Sequence, residues 1–290
     1  MRVCFISVPY DLGRYDVGHG QGPRSLMGSG LDRLLSESGY AVDAKTIICD
    51  GAEQLTDTQI TFKLNAQLSE AISEVVTAGT FPIVLAGNCI TAAGTVSGLG
   101  SEDLHMLWID AHADFNTPET TESGYLDGMA LSIACGRCWK RLSATNPKFR
   151  PIKEENVTLV GARDLDAEEA RALSESRVRV FNPEKLRKNN LQIPDPIGPR
   201  DTDLYIHLDA DVLDASVGRA NRFASRGGLL ETEVNHLLSW AVSSYKLAAL
   251  AITAFGPEHD AGGIIKAALA RLIISSVGFV ASAQRTYRAT

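Results

Sequence analysis

The chain has 290 residues, of which 44% are hydrophobic, and a net charge of −7. This length and composition allow one large α/β domain or two small ones with a substantial core, and they exclude a disordered chain. The acidic balance disfavours a nucleic-acid or anionic-membrane partner, because both repel an acidic protein. Five cysteines, an odd number in a long chain, do not indicate a disulfide framework.

Apolar runs recur along the chain with helical patterns between them, as in βαβ units. Eight runs are predicted to be strands: Arg2 to Val8, Val42 to Cys49, Phe81 to Ala86, Leu104 to Asp110, Asn156 to Gly161, Val178 to Phe181, Leu204 to Asp209 and Leu247 to Ala254. Helices are predicted from about Pro23, from Thr56 to Ala78, near Thr91, from Met129 to Trp139, from about Ala167, from about Thr232 and from Ala261 to Ser276. The apolar residues of the first helix are Leu26, Leu31, Leu34 and Leu35, and the second carries Leu64, Leu68, Ile72, Val75 and Val76 on one side.

Strands separated by helices indicate a mainly parallel sheet with helices on both faces. Residues 185–200, with three prolines, are expected to form a surface excursion. No internal repeat and no composition break marks a second domain, so residues 1–290 are expected to form one. The start resembles a core strand more than a signal peptide, and no run approaches the roughly 20 apolar residues of a membrane span. We therefore expect a cytoplasmic protein with no membrane partner.

The clearest functional signal is a pair of predicted strands that end in acids spaced two residues apart. The first gives Asp110-Ala111-His112-Ala113-Asp114, and the second gives Asp209-Ala210-Asp211. Alternate residues of an extended chain point the same way, so the acids of each run can share one direction. Such groups repel one another unless a cation lies between them. The sequence therefore predicts a site for one or two divalent metals, with oxygen and nitrogen ligands that favour manganese-like ions.

With those residues placed, the chain resembles the arginase–agmatinase–formiminoglutamase family, the ureohydrolases, over nearly its whole length. Asp110 to Asp114 fits the family's D-A-H-x-D motif, and His207 to Asp214 fits its S-x-D-x-D-x-x-D motif. Gly22-Pro23 and Gly227-Gly228-Leu229 fit two further signatures. The run from Phe115 to Gly124 resembles the substrate loop of arginases rather than that of agmatinases.

The resemblance implies a three-layer α/β/α fold, with an eight-stranded mainly parallel sheet, and a binuclear manganese centre. A hydroxide bridging the metals would attack the guanidino carbon of arginine or a modified arginine, giving ornithine and urea or hydroxyurea. The partner implied is thus a small guanidino substrate, and trimers or hexamers are the implied oligomers. Six metal ligands are implied: the bridging Asp110 and Asp209, then Cys89 and Asp114 on one metal, then His112 and Asp211 on the other.

The same resemblance assigns residues to the substrate. Asn116 and Ser123 would hold the α-carboxylate of an amino acid, and Asp166 its α-amino group. Asp114 would pass a proton to the departing amine as a general acid. Asp127 stands where the family has a proton-shuttling histidine, and a carboxylate is a poorer shuttle near pH 7 unless its pKa is raised.

Two further positions depart from the family pattern. Cys89 replaces a histidine ligand; a thiolate can still bind a metal, and the alternative is a buried cysteine beside a mononuclear or empty site. Ala254 replaces a glutamate that arginases set against the guanidinium, a charge-assisted pairing of roughly 1.5–3 kcal/mol per bond. Glu258, His259 or Asp260 could substitute for that glutamate.

These departures predict an arginase-like enzyme for a less basic guanidine such as N-hydroxyarginine. Cysteine-variant members of the family resemble hydrolases of that substrate in natural-product pathways. One alternative is a non-catalytic metal-binding relative or regulator, since Cys89, Asp127 and Ala254 are the changes that loss of turnover would leave. The other is an amidino- or formimino-hydrolase of a substrate that is not an amino acid, which the arginase-like substrate loop disfavours.

Several other side chains carry weaker signals. The pair Cys135 and Cys138 lies in a predicted helix, which favours core packing over a zinc or redox site. His207 is either a support for the site or a core histidine. His19 is expected in a solvated loop, with a place at the mouth of the pocket as the alternative. Arg222 is either plain surface charge or a group that meets a substrate carboxylate.

Overall fold

The computed structural model describes residues 1–193 and 202–289. Eight strands form its main sheet: β1 Arg2–Val8, β2 Ala41–Thr46, β3 Phe81–Ala86, β4 His105–Ile109, β5 Val157–Val160, β6 Arg179–Phe181, β7 Asp203–Asp209 and β8 Lys246–Thr253. Ten α-helices lie within the described residues: α1 Gly22–Met27, α2 Leu31–Glu37, α3 Asp57–Thr77, α4 Ala92–Leu99, α5 Ala130–Ala134, α6 Lys140–Ser143, α7 Ala167–Ser174, α8 Pro183–Lys188, α9 Glu231–Ser244 and α10 Ile264–Ala289.

The sheet has the strand order β2-β1-β3-β8-β7-β4-β5-β6, and every neighbouring pair in it is parallel. All eight predicted strands are confirmed, with ends within three residues of those expected. A separate antiparallel pair, Tyr10–Asp11 with Arg14–Tyr15, was not predicted, because two-residue strands carry no periodicity.

The sheet packs into a core on each face. On one face α3, α4 and α5 cover side chains that include Trp108 and Tyr205. On the other, α1, α2, α9 and α10 cover side chains that include Leu208 and Ile252. Strands buried on both faces read as continuous apolar runs, which is why the sequence revealed them. The expected three-layer α/β/α fold is therefore confirmed.

Some helix predictions are wrong in detail. The helix expected from Pro23 is split into α1 and α2 at residues 28–30, where Gly30 has a φ of 79°. The helix expected from Met129 to Trp139 ends at Ala134, because the chain turns at Gly136 with a φ of 73°. The two cysteines nearby therefore lie beyond the helix, although both pack against the core as expected.

The long helix α3 begins with a capping box, since Thr56 and Gln59 bond to each other's backbone N–H. Leu34 and Val76, which the sequence groups with the apolar positions of their helices, are 38% and 39% exposed. In each case the neighbouring residue around the helix, Leu35 or Val75, fills the buried position. The segment 185–200 begins inside α8 rather than as an excursion, and its residues 194–200 lie outside the described part.

The prediction that no apolar run is long enough to span a membrane is wrong for α10. By length and composition alone, its stretch Ile264–Arg285 passes that test. However, 56% of the apolar part of that stretch is buried inside the protein, with Leu269 and Ile273 in the core. This run of apolar residues is accounted for by the packing of a core helix.

Four central strands bring their carboxyl ends to one edge of the sheet. The neighbours β3, β8, β7 and β4 lead directly to Cys89, Ala254, Asp209 and Asp110. Ligands of parallel α/β sheets bind at this edge. The strand order therefore gathers residues that are far apart in the sequence.

Candidate metal centre

Side chains of the kinds that bind metals converge at this edge in two overlapping groups. The ligand atoms of Cys89, Asp110 and Asp209 lie within 4.8 Å of one another, and so do those of Asp110, His112 and Asp211. Asp110 belongs to both groups, whereas Asp209, the other residue predicted to bridge the metals, belongs only to the first. Five of the six side chains predicted as ligands are therefore brought together.

Asp114, the sixth, belongs to neither group, and its assignment as a ligand stays a prediction. The expectation that the chain stays extended through Asp114 is wrong, because β4 ends at Ile109 and Asp114 has a φ of 49°. Its side chain nevertheless lines the cavity that the two groups share. Burial and the charge of Asp110 raise the pKa of Asp114 well above its usual value.

The second group is organised around the His112 ring. Its Nδ1 lies 3.5 Å from Oδ1 of Asp110 and 3.4 Å from Oδ2 of Asp211. Burial lowers the pKa of His112, but hydrogen bonds and negative charges from these two acids outweigh it and raise the pKa to about 12. A position that holds a proton this strongly is one where a divalent cation would also be stabilised.

The first group is organised around the buried Cys89 sulfur. Its thiol donates a hydrogen bond of 3.0 Å to Oδ2 of Asp209. Burial, followed by the charges of Asp209 and Asp127, raises the pKa of Cys89 well above its usual value. Burial likewise raises the pKa of Asp209 and of Asp110.

Buried acids and a thiol in contact are unfavourable without a compensating cation. The donors are carboxylate oxygens, one imidazole nitrogen and one sulfur, a set that suits a divalent transition metal. The two groups therefore fit bound metal ions.

Close packing fixes the turn that carries Cys89. A Cβ added to Gly87 would overlap the carbonyl oxygen of Tyr10 and would lie 2.8 Å from the backbone nitrogen of Gly20. Only glycine allows the early loop to pack this closely over the turn. The next residue, Asn88, accepts a 2.7 Å bond from the backbone N–H of Leu12 through its Oδ1.

Asp127 fastens the same turn from the other side. Its Oδ2 accepts bonds from Nδ2 of Asn88 at 2.8 Å and from the backbone N–H of Cys89 at 3.2 Å, and its Oδ1 accepts one from Ile90 at 2.8 Å. Burial raises the pKa of Asp127 to about 7 despite these bonds. The sequence did not predict this contact, and the proton-shuttle role remains a prediction.

The metal-binding groups open into a cavity of about 610 Å³. All three predicted substrate residues line it, and Nδ2 of Asn116 donates to Oδ2 of Asp166 at 3.1 Å. Asp166 occupies the N-cap position of α7 without making a side-chain capping bond. Its carboxylate instead faces the cavity.

Glu169 also lines the cavity, and sequence reasoning missed it. Its Oε1 accepts a 2.8 Å bond from the backbone N–H of Phe115, and burial raises its pKa to about 7. Glu169 follows Asp166 by three residues, which on a helix is one turn on the same face. That spacing was the signal that could have found it.

Ala254 forms an uncharged part of the cavity wall. It is 4% exposed, and its carbonyl accepts a 2.9 Å bond from Nδ2 of Asn221. The same Nδ2 donates to Oδ2 of Asp211 at 3.0 Å. Asn221, another residue that the sequence did not reveal, thus ties this wall to the metal-binding groups.

None of the three predicted substitutes for the missing glutamate lines the cavity as described. Asp260 caps α10, because its two oxygens accept backbone bonds from Ile265 and Lys266. Oε1 of Glu258 lies 3.6 Å from Nε2 of His259, so these two side chains face each other. The wall at Ala254 therefore has no carboxylate from this loop.

The mouth of the cavity is aromatic. The Phe223 ring lies 5.5 Å from that of Tyr125 and 6.2 Å from that of His19. The expectation that His19 is solvated is wrong, since it is 4% exposed. The Arg222 guanidinium lies over Phe223 at 4.6 Å, and of the described residues it is the only arginine that lines the cavity.

His207, left open by the sequence, is fully buried and supports the site. Its ring stacks on that of Trp108 with centroids 3.7 Å apart. Trp108 in turn donates a 2.9 Å bond from Nε1 to Oδ2 of Asp110. The stack therefore orients the carboxylate common to both groups.

Comparison with known proteins agrees with this geometry. The model of the arginase family matches residues 1–278. The arginase of Brevibacillus brevis is 30% identical over 227 residues, covering 73% of this chain and 76% of that protein. The arginase of Glaciozyma antarctica is 28% identical over 283 residues, covering 88% of this chain and 81% of that protein.

The crystal structure of Bacillus subtilis arginase superposes with a TM-score of 0.83 at 25% identity, covering 96% of this chain and 99% of that one. The agmatine ureohydrolase of Thermoplasma volcanium, at 21% identity and a TM-score of 0.72, shares the fold. The chain therefore belongs to the arginase family, whose members are metal-dependent hydrolases of guanidino C–N bonds.

Proposed function

We propose that the protein hydrolyses an amino acid with a less basic guanidino group, such as N-hydroxyarginine, giving ornithine and hydroxyurea. The observation that carries this proposal is the buried, uncharged wall at Ala254 in an otherwise acidic cavity. A fully charged guanidinium against that wall lacks a charge-assisted partner, a loss of roughly 1.5–3 kcal/mol per bond. N-hydroxylation makes the guanidine less basic, so that its neutral form needs no carboxylate partner.

Two ions are proposed at the metal centre. Manganese is favoured by the oxygen-rich donor set, and such ions would lower the pKa of a bound water toward neutrality. The residues proposed to hold them are Cys89, Asp110, Asp114 and Asp209 for one, and Asp110, His112, Asp209 and Asp211 for the other.

Proton transfer is proposed to involve Asp114. Its carboxylate lines the cavity, where it can take up a proton from the attacking water and donate that proton to the departing amine. Asp127 is proposed to act mainly by holding the Cys89 turn, since both of its oxygens already accept bonds there.

The polar lining of the cavity suits an amino-acid head group. Asn116 and Ser123 are proposed to bind the α-carboxylate, and Asp166 the α-amino group. Glu169 adds a second acid beside Asp166, and Arg222 supplies positive charge at the mouth. Opposite charges among the side chains that line the cavity match the zwitterionic end of an amino acid.

The family resemblance also supports a homo-oligomer, a trimer or hexamer, built from one domain per chain. Light scattering during size-exclusion chromatography measures this mass directly. A monomer at micromolar concentration would contradict the proposed assembly without affecting the proposed chemistry.

A substrate panel tests the proposed reaction. Purified protein with manganese is incubated with arginine, N-hydroxyarginine, agmatine and a formimino compound, and urea, hydroxyurea and formamide are quantified. We expect hydroxyurea release from N-hydroxyarginine to be the fastest. Equal release of urea from arginine would refute the preference, and no turnover with metals bound would support the non-catalytic alternative.

A matched pair of variants tests the role of the cavity wall. Ala254→Glu should raise kcat/KM for arginine by at least about tenfold, which corresponds to about 1.4 kcal/mol of charge-assisted bonding. Ala254→Gln adds a similar volume without the charge and should not. If both variants raise arginine turnover equally, charge at position 254 does not set the preference.

A further inference from the structure

A line of buried polar groups runs behind Cys89, away from the cavity. Thr253 Oγ1 lies 3.2 Å from the Cys89 sulfur and 3.2 Å from Nε2 of His207. On the far side of the ring, Nδ1 lies 3.0 Å from the Tyr205 hydroxyl. Thr253, His207 and Tyr205 are all 0% exposed, so water does not compete for these bonds.

The strands hold this line rigidly. Tyr205 and His207 are two residues apart on β7 and therefore point to the same face. Thr253 on β8 is in register with Asp209, next along that face. The His207 ring is further fixed by its stack on Trp108, where the two rings are 12° from parallel.

The direction of the bonds follows from counting hydrogens. The Cys89 thiol already donates its one proton to Asp209, so its sulfur offers only lone pairs to Thr253. Thr253 is therefore the donor to sulfur, and its oxygen is free to accept a bond from Nε2 of His207. A neutral imidazole has one N–H and one acceptor nitrogen, so Nδ1 accepts from the Tyr205 hydroxyl.

One other acceptor is within reach of the Thr253 hydroxyl. The carbonyl of Leu208 lies 3.5 Å away, at the outer limit for an oxygen acceptor. A distance of 3.2 Å is short for a bond to sulfur, which has a larger radius than oxygen. The sulfur is therefore the better placed acceptor.

We infer that Thr253, held in place by His207 and Tyr205, is a positioning residue that orients the Cys89 sulfur for metal binding. A histidine ligand is usually fixed by the bond that its second nitrogen donates to a neighbour. A cysteine side chain has no nitrogen that could donate such a bond. The bond that its sulfur accepts from Thr253 fixes the sulfur instead. The inference rests on the proposed metal site and extends it to residues that touch neither metal nor substrate.

Cobalt substitution gives a readout that does not depend on turnover. The full-length protein is stripped of metal and titrated with Co²⁺, and the sulfur-to-cobalt charge-transfer band in the near-ultraviolet is recorded with the Kd. Wild type should show the band, and Cys89→Ser should lose it. If wild type binds Co²⁺ without a band that depends on Cys89, the proposed metal role of Cys89 fails, and this inference with it.

Thr253→Val removes the hydroxyl and keeps the side-chain shape. Loss of a donor makes the sulfur more electron-rich, so the band should shift to longer wavelength. Loss of the bond that orients the sulfur should lower Co²⁺ affinity by about tenfold or more. Thr253→Ser keeps the donor and should restore both values. If Thr253→Val has the band and Kd of wild type, only the positioning role is refuted.

Tyr205→Phe tests the far end of the line and serves if Thr253→Val does not fold. It removes the hydroxyl that donates to Nδ1 while leaving the buried ring. We expect a smaller shift of the band in the same direction. A Tyr205→Phe protein with an unchanged band and Kd would overturn the extension of the line beyond Thr253.

Discussion

Gly87→Ala perturbs the turn that carries Cys89 without touching a proposed ligand. The new Cβ would overlap the Tyr10 carbonyl oxygen and lie 2.8 Å from the Gly20 nitrogen and 2.9 Å from the His19 carbonyl carbon. All three are backbone atoms, so no side-chain rotation relieves the contact. The early loop and the turn must move apart instead.

The size of the effect follows from two opposing terms. Overpacking of a buried site costs about 1–3 kcal/mol, and contacts with rigid backbone on two segments place this case at the upper end. The alanine restricts the unfolded chain, which offsets about 0.4–1 kcal/mol. We expect the free energy of unfolding to fall by about 2 kcal/mol.

Gly278→Ala is the matched control. Gly278 lies within α10, and a Cβ built there meets no atom within 4 Å. In a helix interior this substitution should raise the free energy of unfolding by about 0.5–1 kcal/mol. The two variants carry the same chemical change and differ only in surroundings.

Two assays are made on the metal-free protein. Urea unfolding gives the free energy of unfolding, and a thiol reagent gives the rate at which Cys89 is modified in the folded protein. Subtracting the same measurement on Cys89→Ser removes the signal of the other four cysteines. Gly87→Ala should unfold at lower urea and expose Cys89, which is 1% exposed in the structure. Equal stability of the Gly87 and Gly278 variants would refute the close-packing argument.

Three further predictions concern acids and the cavity mouth. The folded pKa of Glu169, about 7, lies above its unfolded value near 4.5. The protonated Glu169 therefore stabilises the fold at low pH, and up to about 3 kcal/mol of stability is lost as the pH rises between these values. Glu169→Gln should flatten that part of a urea-unfolding pH profile. Asp260→Ala removes the α10 cap and should lower the free energy of unfolding by about 1 kcal/mol, with Asp260→Asn close to wild type. Arg222→Gln should raise KM two- to fivefold for carboxylate substrates only, as for an exposed pair of about 0.5–1 kcal/mol.

The main sheet and the acidic motifs could be predicted because both are local in the sequence. A strand buried on both faces is a continuous apolar run, as in Phe81–Ala86, whose bounds are the same in the structure. The spacing of Asp209 and Asp211 likewise needs no knowledge of distant residues. The two predicted strands that end in these acids were enough to predict a divalent-metal site at their ends.

The contacts that complete the site depend on packing between distant segments. Thr253 meets the Cys89 sulfur, and Asp127 meets the Cys89 turn, only because the strand order brings their segments together. The burial of His19 depends on a late loop that carries Phe223. The residue pattern within one segment does not indicate which distant segment it will contact.

The most direct test is the location of metal in crystals grown with manganese, measured by anomalous scattering at the manganese edge. Two peaks are predicted: one against Cys89, Asp110 and Asp209, and one against Asp110, His112 and Asp211. Well-ordered crystals with these side chains in place and no anomalous peak between them would contradict the proposed metal centre.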